Sequence, residues 1–334
     1  MVDELRSSLG SRVALLDEHS DPVHNRTVFT LAGDEASLLP ALVRLADLAV
    51  GQIDVTRQVG AHPRIGSIDV CPIVWHREAL RPRAVDLARA VAELLGALAL
   101  PVFLYGELAS TPERRERAHF RRGGHVELTR RMREGDLTPD YGPGVPHPTG
   151  GGVLVTARPP LAAFNLELSP GVTLADGTAI AAELRESGGG PPGVRAIAIE
   201  LGPGRIQIST NVHDPVAVPL ADVVARTARL GEPFGTRPTS AELVGLVPEA
   251  ALAGWRADLE LAGGDPHGQT IEARLAVTSG AREPASKPPT PAWRRRRAPL
   301  GILAGSRGAA TPRRLRHPFG TRQADARGSE TGSN

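Results

Sequence analysis

The chain has 334 residues, enough for one large domain or two of moderate size with a real core, and only 3% of them are aromatic. Its single cysteine, Cys71, excludes a disulfide framework and a Cys-rich metal site. The net charge of +2 is unevenly spread: positions 280–334 hold 12 Lys and Arg against three Asp and Glu, so the body before them is acidic by about seven charges.

In chain order, the opening Met1-Val2-Asp3-Glu4-Leu5-Arg6 lacks a basic-then-apolar signal pattern, and no apolar run reaches membrane-spanning length. The reading is a soluble cytoplasmic protein. Residues 3–9 read as the end of a helix, 13–16 as a buried strand, 18–22 as a polar turn and 26–31 as a β-branched strand closed by Gly33. Asp34 is a plausible N-cap for a helix in which Leu38, Leu39, Leu42, Leu45, Leu48 and Ala49 recur at helical spacing. A strand is expected over 68–75, an amphipathic helix over 82–98, a strand over 101–105 and a charged helical run over 109–133. Residues 140–152 form a long Gly/Pro loop, and 153–156 lead out of it. The second half reads strand (162–168), helix (174–187), strand (194–201), tight turn (202–204), strand (205–210) and helix (216–230). A short apolar piece (243–247) and a closing helix (250–259) follow.

A β-α-β-β-α-β order is the split βαβ, ferredoxin-like plan, and the first half shows most of it without an opening strand. The expected class is α+β: two ferredoxin-like subdomains, 1–157 and 158–262, with sheets facing each other and helices outside. From about Gly263 the periodicity is lost, and Arg-rich runs such as Arg294-Arg295-Arg296-Arg297 sit among Pro, Gly and Ser. Residues 263–334 are therefore expected to be a disordered tail.

The stretch from Gly60 to Pro72 carries the chemistry. Gly60 and Pro63 forbid regular helix, and Pro63 pushes His62 towards extended backbone. Ile68, Val70, Ile73 and Val74 then start a strand. His62 and Arg64 thus stand at a strand mouth, pairing a group that titrates near neutrality with a fixed cation. Two solvated loop side chains would show the same tripeptide.

Three separated stretches occur in one order with matching gaps: Asp21-Pro22-Val23-His24-Asn25-Arg26-Thr27-Val28-Phe29-Thr30, the segment 60–72, and Val102-Phe103-Leu104-Tyr105-Gly106-Glu107. Together they closely resemble the glutamate formimidoyltransferase (formiminotransferase) family, folate enzymes of histidine degradation. The resemblance runs from about Val13 to about Ala253. It implies transfer of a formimino group between the nitrogen of N-formimino-L-glutamate and N5 of tetrahydrofolate. The family's catalytic histidine falls on His62, which is expected to act as general acid and base.

Substrate carboxylates make Arg64 and Arg26 candidates, although Arg26 also fits a solvated cation at a strand edge. Asp69 can orient His62 or pair with Arg64. Glu107 can receive a proton, hold a pterin nitrogen or remain an exposed carboxylate. Asn211, in Ser209-Thr210-Asn211, resembles a family strand end facing the same cleft. The family's folate-binding segment falls on Gly142, Pro143, Gly144, Val145, Pro146, His147, Pro148, Thr149, Gly150 and Gly151, where glycines let backbone amides approach a flat ring. Family members often carry an aromatic residue where Gly150 stands. Gly245-Leu246-Val247-Pro248 matches a family fold signature.

The family also implies a homodimer, and an opening strand and turn like Val-Pro-Asn-Phe-Ser-Glu-Gly that has no counterpart before Val13. A non-catalytic or truncated paralogue that keeps the fold, with or without folate binding, is the alternative. His24, His76, His119, His125 and His213 lack metal-ligand spacing, so no metal is assigned. No nucleotide-binding Gly-rich loop follows a strand. Without interleaved aromatics the Arg-rich tail does not read as a specific nucleic-acid binder.

Overall fold

A computed structural model describes residues 2–22, 24–60, 63–255 and 258–280. Helix α1 (Val2–Ser7) buries Leu5 and leads to a hairpin of β1 (Ala14–Asp21) and β2 (Arg26–Ala32). The ladder runs antiparallel from Ala14 opposite Ala32 to Asp21 opposite Arg26, with a bulge between Leu15 and Asp17. Residues 18–21, expected as a turn, instead continue β1. Their polar side chains alternate along a half-buried strand, and Ser20 meets Thr27 across it at 3.0 Å. Asn25 turns the chain with φ +48°, a conformation its short polar side chain tolerates.

Helix α2 (Glu35–Gln52) starts where expected, with the Asp34 carboxylate accepting the Ser37 amide at 2.8 Å. Strand β3 (Val70–Val74), helix α3 (Arg81–Ala97) and strand β4 (Val102–Leu104) follow. Two short helices, α4 (Arg117–Arg121) and α5 (Gly124–Arg133), then precede β5 (Val153–Arg158). β5 is the centre of a parallel sheet ordered β3-β5-β4. Buried on both faces, it is an unbroken apolar run from Val153 to Val155, as parallel central strands are. Val153, Val155 and Ala157 pack with the apolar stripe of α3, while Leu154 packs with Phe103, Phe120, Leu128 and Met132 under α4 and α5.

The second half holds β6 (Ala162–Leu168), α6 (Leu174–Leu184), β7 (Val194–Gly202), β8 (Arg205–Val212), α7 (Leu220–Gly231) and β9 (Pro238–Leu243). Its sheet is ordered β10-β9-β6-β8-β7, with β10 (Glu260–Ala262) added parallel to β9. Without β10 this is fourth-first-third-second, all antiparallel, the split βαβ arrangement expected from the sequence. Ile206, Ile208 and Val212 point to the core shared with α6 and α7. Gln207, Ser209 and Asn211 alternate onto the opposite, polar face.

The mixed α+β class holds, but the first half does not form the expected four-stranded sheet. In the fourth-first-third-second order a strand should lie between β2 and β3. No strand precedes β1 among the described residues, so the hairpin and the β3-β5-β4 sheet stand apart. The expected tail also begins too early. Strand β9 and the loop to Val247 are followed by a 3-10 turn at Glu249–Leu252 in place of a closing helix. Residues 266–269 form another, and α8 (Ile271–Gly280) follows. The Ile271 amide donates to Val247 O at 2.9 Å, and Ile271 and Leu275 pack on Ala14, Leu16 and Leu246. Two apolar side chains one turn apart suffice to dock a polar helix on an existing apolar patch. Residues 281–334, with the Arg-rich runs, lie outside the described residues. Among the described residues no helix is long and apolar enough to cross a membrane.

Candidate active site

His62 lies outside the described residues; the segments on either side of it are tightly held. Arg64 donates Nη1 to Gln58 Oε1 at 2.9 Å and Nη2 to the His24 carbonyl at 3.1 Å. Asn25 Nδ2 donates to the Val59 carbonyl at 2.8 Å. The loop before β3 is therefore tied to the β1–β2 turn, where Asp21 pairs with the buried His24. Asp69 Oδ1 accepts the Ile65 amide at 2.8 Å, folding residues 65–69 into a tight turn, and Oδ2 pairs with Arg121. Desolvation pushes the Cys71 thiol up to about 12, so it stays protonated and is not a nucleophile.

The Gly/Pro loop is stitched to that same turn. The Ser67 amide donates to Gly150 O and the Gly152 amide to Ile65 O, each at 2.9 Å, and Gly66 bridges Gly151. The Val55 amide adds a bond to Thr149 O at 2.8 Å. The approach needs glycine on both sides. A Cβ on Gly66 would sit 1.9 Å from Gly152 O, and one on Gly151, at φ +68°, 2.1 Å from Ile65 O. His147 Nδ1 accepts the Gly150 amide at 2.9 Å, and its ring fills the space beside Gly150. Residues 149–151 are thus pinned, while Gly142, Gly144 and Val145 are exposed. At the loop's start, Asp140 accepts the Leu104 amide at 2.8 Å and pairs with Arg114.

Beside the 65–69 turn, Arg117 and Arg121 on α4 and Arg158 at the end of β5 gather around the buried Tyr105, and Arg26 at the start of β2 stands beside Arg117 and Arg121. Desolvation lowers the pKa of Arg26 and Arg117 and draws Arg158 down to about 10. Burial raises the Tyr105 pKa, so its hydroxyl is neutral. The acids among the described residues that act on these arginines are Asp69, paired with Arg121, Asp21, which lies opposite Arg26 in the hairpin, and Glu116. At the rim, Arg195 bridges Glu116 and Glu186 at 2.9 and 2.6 Å, close to His213 at the end of β8.

Of the expected site residues, Arg26 joins this group, and Arg64 and the loop 142–151 border the turn beside it. Glu107 is exposed and pairs with Arg81 Nη2 at 2.7 Å, outside the arginine group. Asn211 lies half-buried on the polar face of the second sheet. On that face Asn165 Nδ2 donates to Glu242 Oε2 at 2.8 Å, and Glu242 Oε1 stands 3.5 Å from His19 Nε2 on the hairpin. The sequence reading did not single out Arg117, Arg121, Arg158 or Tyr105. Arg117 and Arg121, four apart on one helix, were the available signal, but a charged run reads as a solvated helix. Among the described residues no group of His, Cys, Asp and Glu can hold a metal ion.

Comparison with known proteins gives the same lineage as the motifs. A model of the formiminotransferase domain, N-terminal subdomain, matches residues 1–158. The chain is 37% identical over 243 residues to a glutamate formimidoyltransferase of Streptococcus pyogenes serotype M1, covering 72% of this chain and 81% of that protein. It is 32% identical over 257 residues to a glutamate formimidoyltransferase of Thermoplasma acidophilum, covering 75% and 84% respectively. Against the formimidoyltransferase-cyclodeaminase of Sus scrofa it is 35% identical over 246 residues, 71% of this chain but 45% of that longer protein. The chain belongs to the formiminotransferase family.

Proposed function

We propose that this chain is a glutamate formimidoyltransferase, moving a formimino group between N-formimino-L-glutamate and N5 of tetrahydrofolate, as in histidine degradation. One observation carries the reading of the site: the backbone pairing of residues 65–67 with 150–152 brings the turn that follows His62 against the Gly/Pro loop. In this reading the loop 142–151 receives the pterin, with its inner arm fixed and its outer glycines open to a flat ring. His62 removes the proton from the attacking amine as the new carbon–nitrogen bond forms. It returns a proton to the glutamate nitrogen as the old bond breaks, so one group near neutral pKa serves both directions. Arg64, Arg26 and Asn211 border the substrate, and Glu107 lies at the margin. The subdomains are 1–157 and, with α8 included, 158–280; the cleft runs between the 65–69 turn and the polar face of the second sheet. The working form in this reading is a cytoplasmic homodimer.

The test is His62→Ala. Formimino transfer should fall by roughly 10²–10⁴-fold, the range for loss of a general acid–base, while tetrahydrofolate binding persists. Unchanged turnover would remove His62 from the mechanism. A wild-type chain that binds tetrahydrofolate and transfers nothing would leave the non-catalytic paralogue standing.

A further inference from the structure

The arginines around Tyr105 are more numerous than the fold requires. Arg121 has a structural partner in Asp69. Arg26 and Arg117 make no hydrogen bond or ion pair from their side chains to any of the described residues. Arg158 donates Nη1 to the Pro159 carbonyl at 2.9 Å and lies beside the neutral Tyr105, so it meets no anion. The Nε atoms of Arg26, Arg121 and Arg158 are shielded from solvent and bond to nothing described. Neighbouring acids are committed elsewhere: Asp21 to His24 and Glu116 to Arg195.

Holding three half-buried guanidinium groups in one region costs desolvation and mutual repulsion, which the nearby carboxylates of Asp21, Asp69 and Glu116 offset only in part. Desolvation is the largest cause of the lowered pKa at each of the three, and neighbouring arginines lower them further. Nothing in the packing requires the charges; α4 is anchored through Phe120 and through the Arg121–Asp69 pair. A cluster of cations of this kind concentrates anions, and the guanidinium fork fits a carboxylate through two parallel bonds. Three cations from three different elements suit a ligand with more than one carboxylate.

We propose that Arg26, Arg117 and Arg158 form a pocket for a glutamyl dicarboxylate, the α- and γ-carboxylates of one glutamyl group. This deepens the transferase reading and rests on it for the choice of ligand. Both substrates of that reaction end in such a group: the formimino donor, and the tail of the folate.

The experiment compares the full chain with Arg117→Gln and Arg158→Gln, using Arg205→Gln as a surface control whose partner is Glu167. Glutarate, which has two carboxylates and no amidine, is the direct probe by titration calorimetry. Losing a charge-assisted bidentate contact should weaken glutarate binding by roughly tenfold or more in each pocket variant and leave the control unchanged. Transfer kinetics then assign the source. A KM rise confined to formiminoglutamate places the donor in the pocket, and one confined to polyglutamyl tetrahydrofolate places the folate tail there.

Because each substitution relieves repulsion, the folded variants should unfold at the same temperature as wild type or higher. If one variant fails to fold, the other carries the test. Wild-type glutarate binding that disappears in the variants, in a chain with no transferase activity, would sink the enzyme reading and keep the pocket. Active variants with unchanged glutarate affinity and unchanged KM values would overturn the pocket and keep the enzyme.

Discussion

Asp69 shows how one side chain can serve two parts of a site. One carboxylate oxygen folds the turn after His62 by accepting the Ile65 amide, and the other pairs with Arg121 of α4. Of the two roles the sequence allowed, orienting His62 or pairing with Arg64, the second is not seen: Arg64 reaches Gln58 and the His24 carbonyl instead. Asp69→Ala leaves the Ile65 amide unbonded and adds a fourth unpaired arginine. It should lower stability by about 2 kcal/mol, read from the urea midpoint, and reduce transfer more than it reduces folding. Asp69→Asn, which can keep the amide bond but not the ion pair, should fall between.

At the scale of the elements, α4 is presented to the cleft by a clamp from α5. The buried Arg131 donates Nη1 to the His119 carbonyl at 2.6 Å and Nη2 to His119 Nε2 at 3.0 Å. The second bond requires a neutral imidazole, because a protonated ring offers no acceptor. Desolvation, then Arg131 and other arginines, lowers the His119 pKa below its ordinary 6.5. The unfolded chain therefore binds this proton more readily than the native one. Stability from the clamp is complete above about pH 6.5 and declines as pH falls from there through the lowered native value. Urea unfolding at pH 7 and pH 5 should show a smaller loss for His119→Gln than for wild type; equal losses would remove His119 from the linkage. The loop pairing makes a sharper demand. Gly66→Ala or Gly151→Ala must separate strands of backbone now in contact, and should cost roughly 2 kcal/mol or more while raising the KM for tetrahydrofolate.

For the whole molecule, α8 links the hairpin to the second half, with Ile271 and Leu275 against Ala14, Leu16 and Leu246. Leu275→Ala should destabilise the protein by about 1–2 kcal/mol, less than a fully buried leucine, because the site is half-buried. The second half was legible in the sequence because β6, β7 and β8 alternate and α6 and α7 are periodic, so local pattern and sheet order agree. The first half was less so. Nothing local in residues 70–74 and 153–158 says that they pair in parallel across 84 positions of chain. α8 was hidden because its two docking residues are few among polar ones. In the site, the loop and the turn were visible as motifs, whereas the arginines were not, since a charged helix looks alike whether it faces water or a cleft. Steady-state formimino transfer from N-formimino-L-glutamate to tetrahydrofolate by the full chain should be saturable and dependent on both substrates; a folded chain that binds both and transfers nothing is not a glutamate formimidoyltransferase.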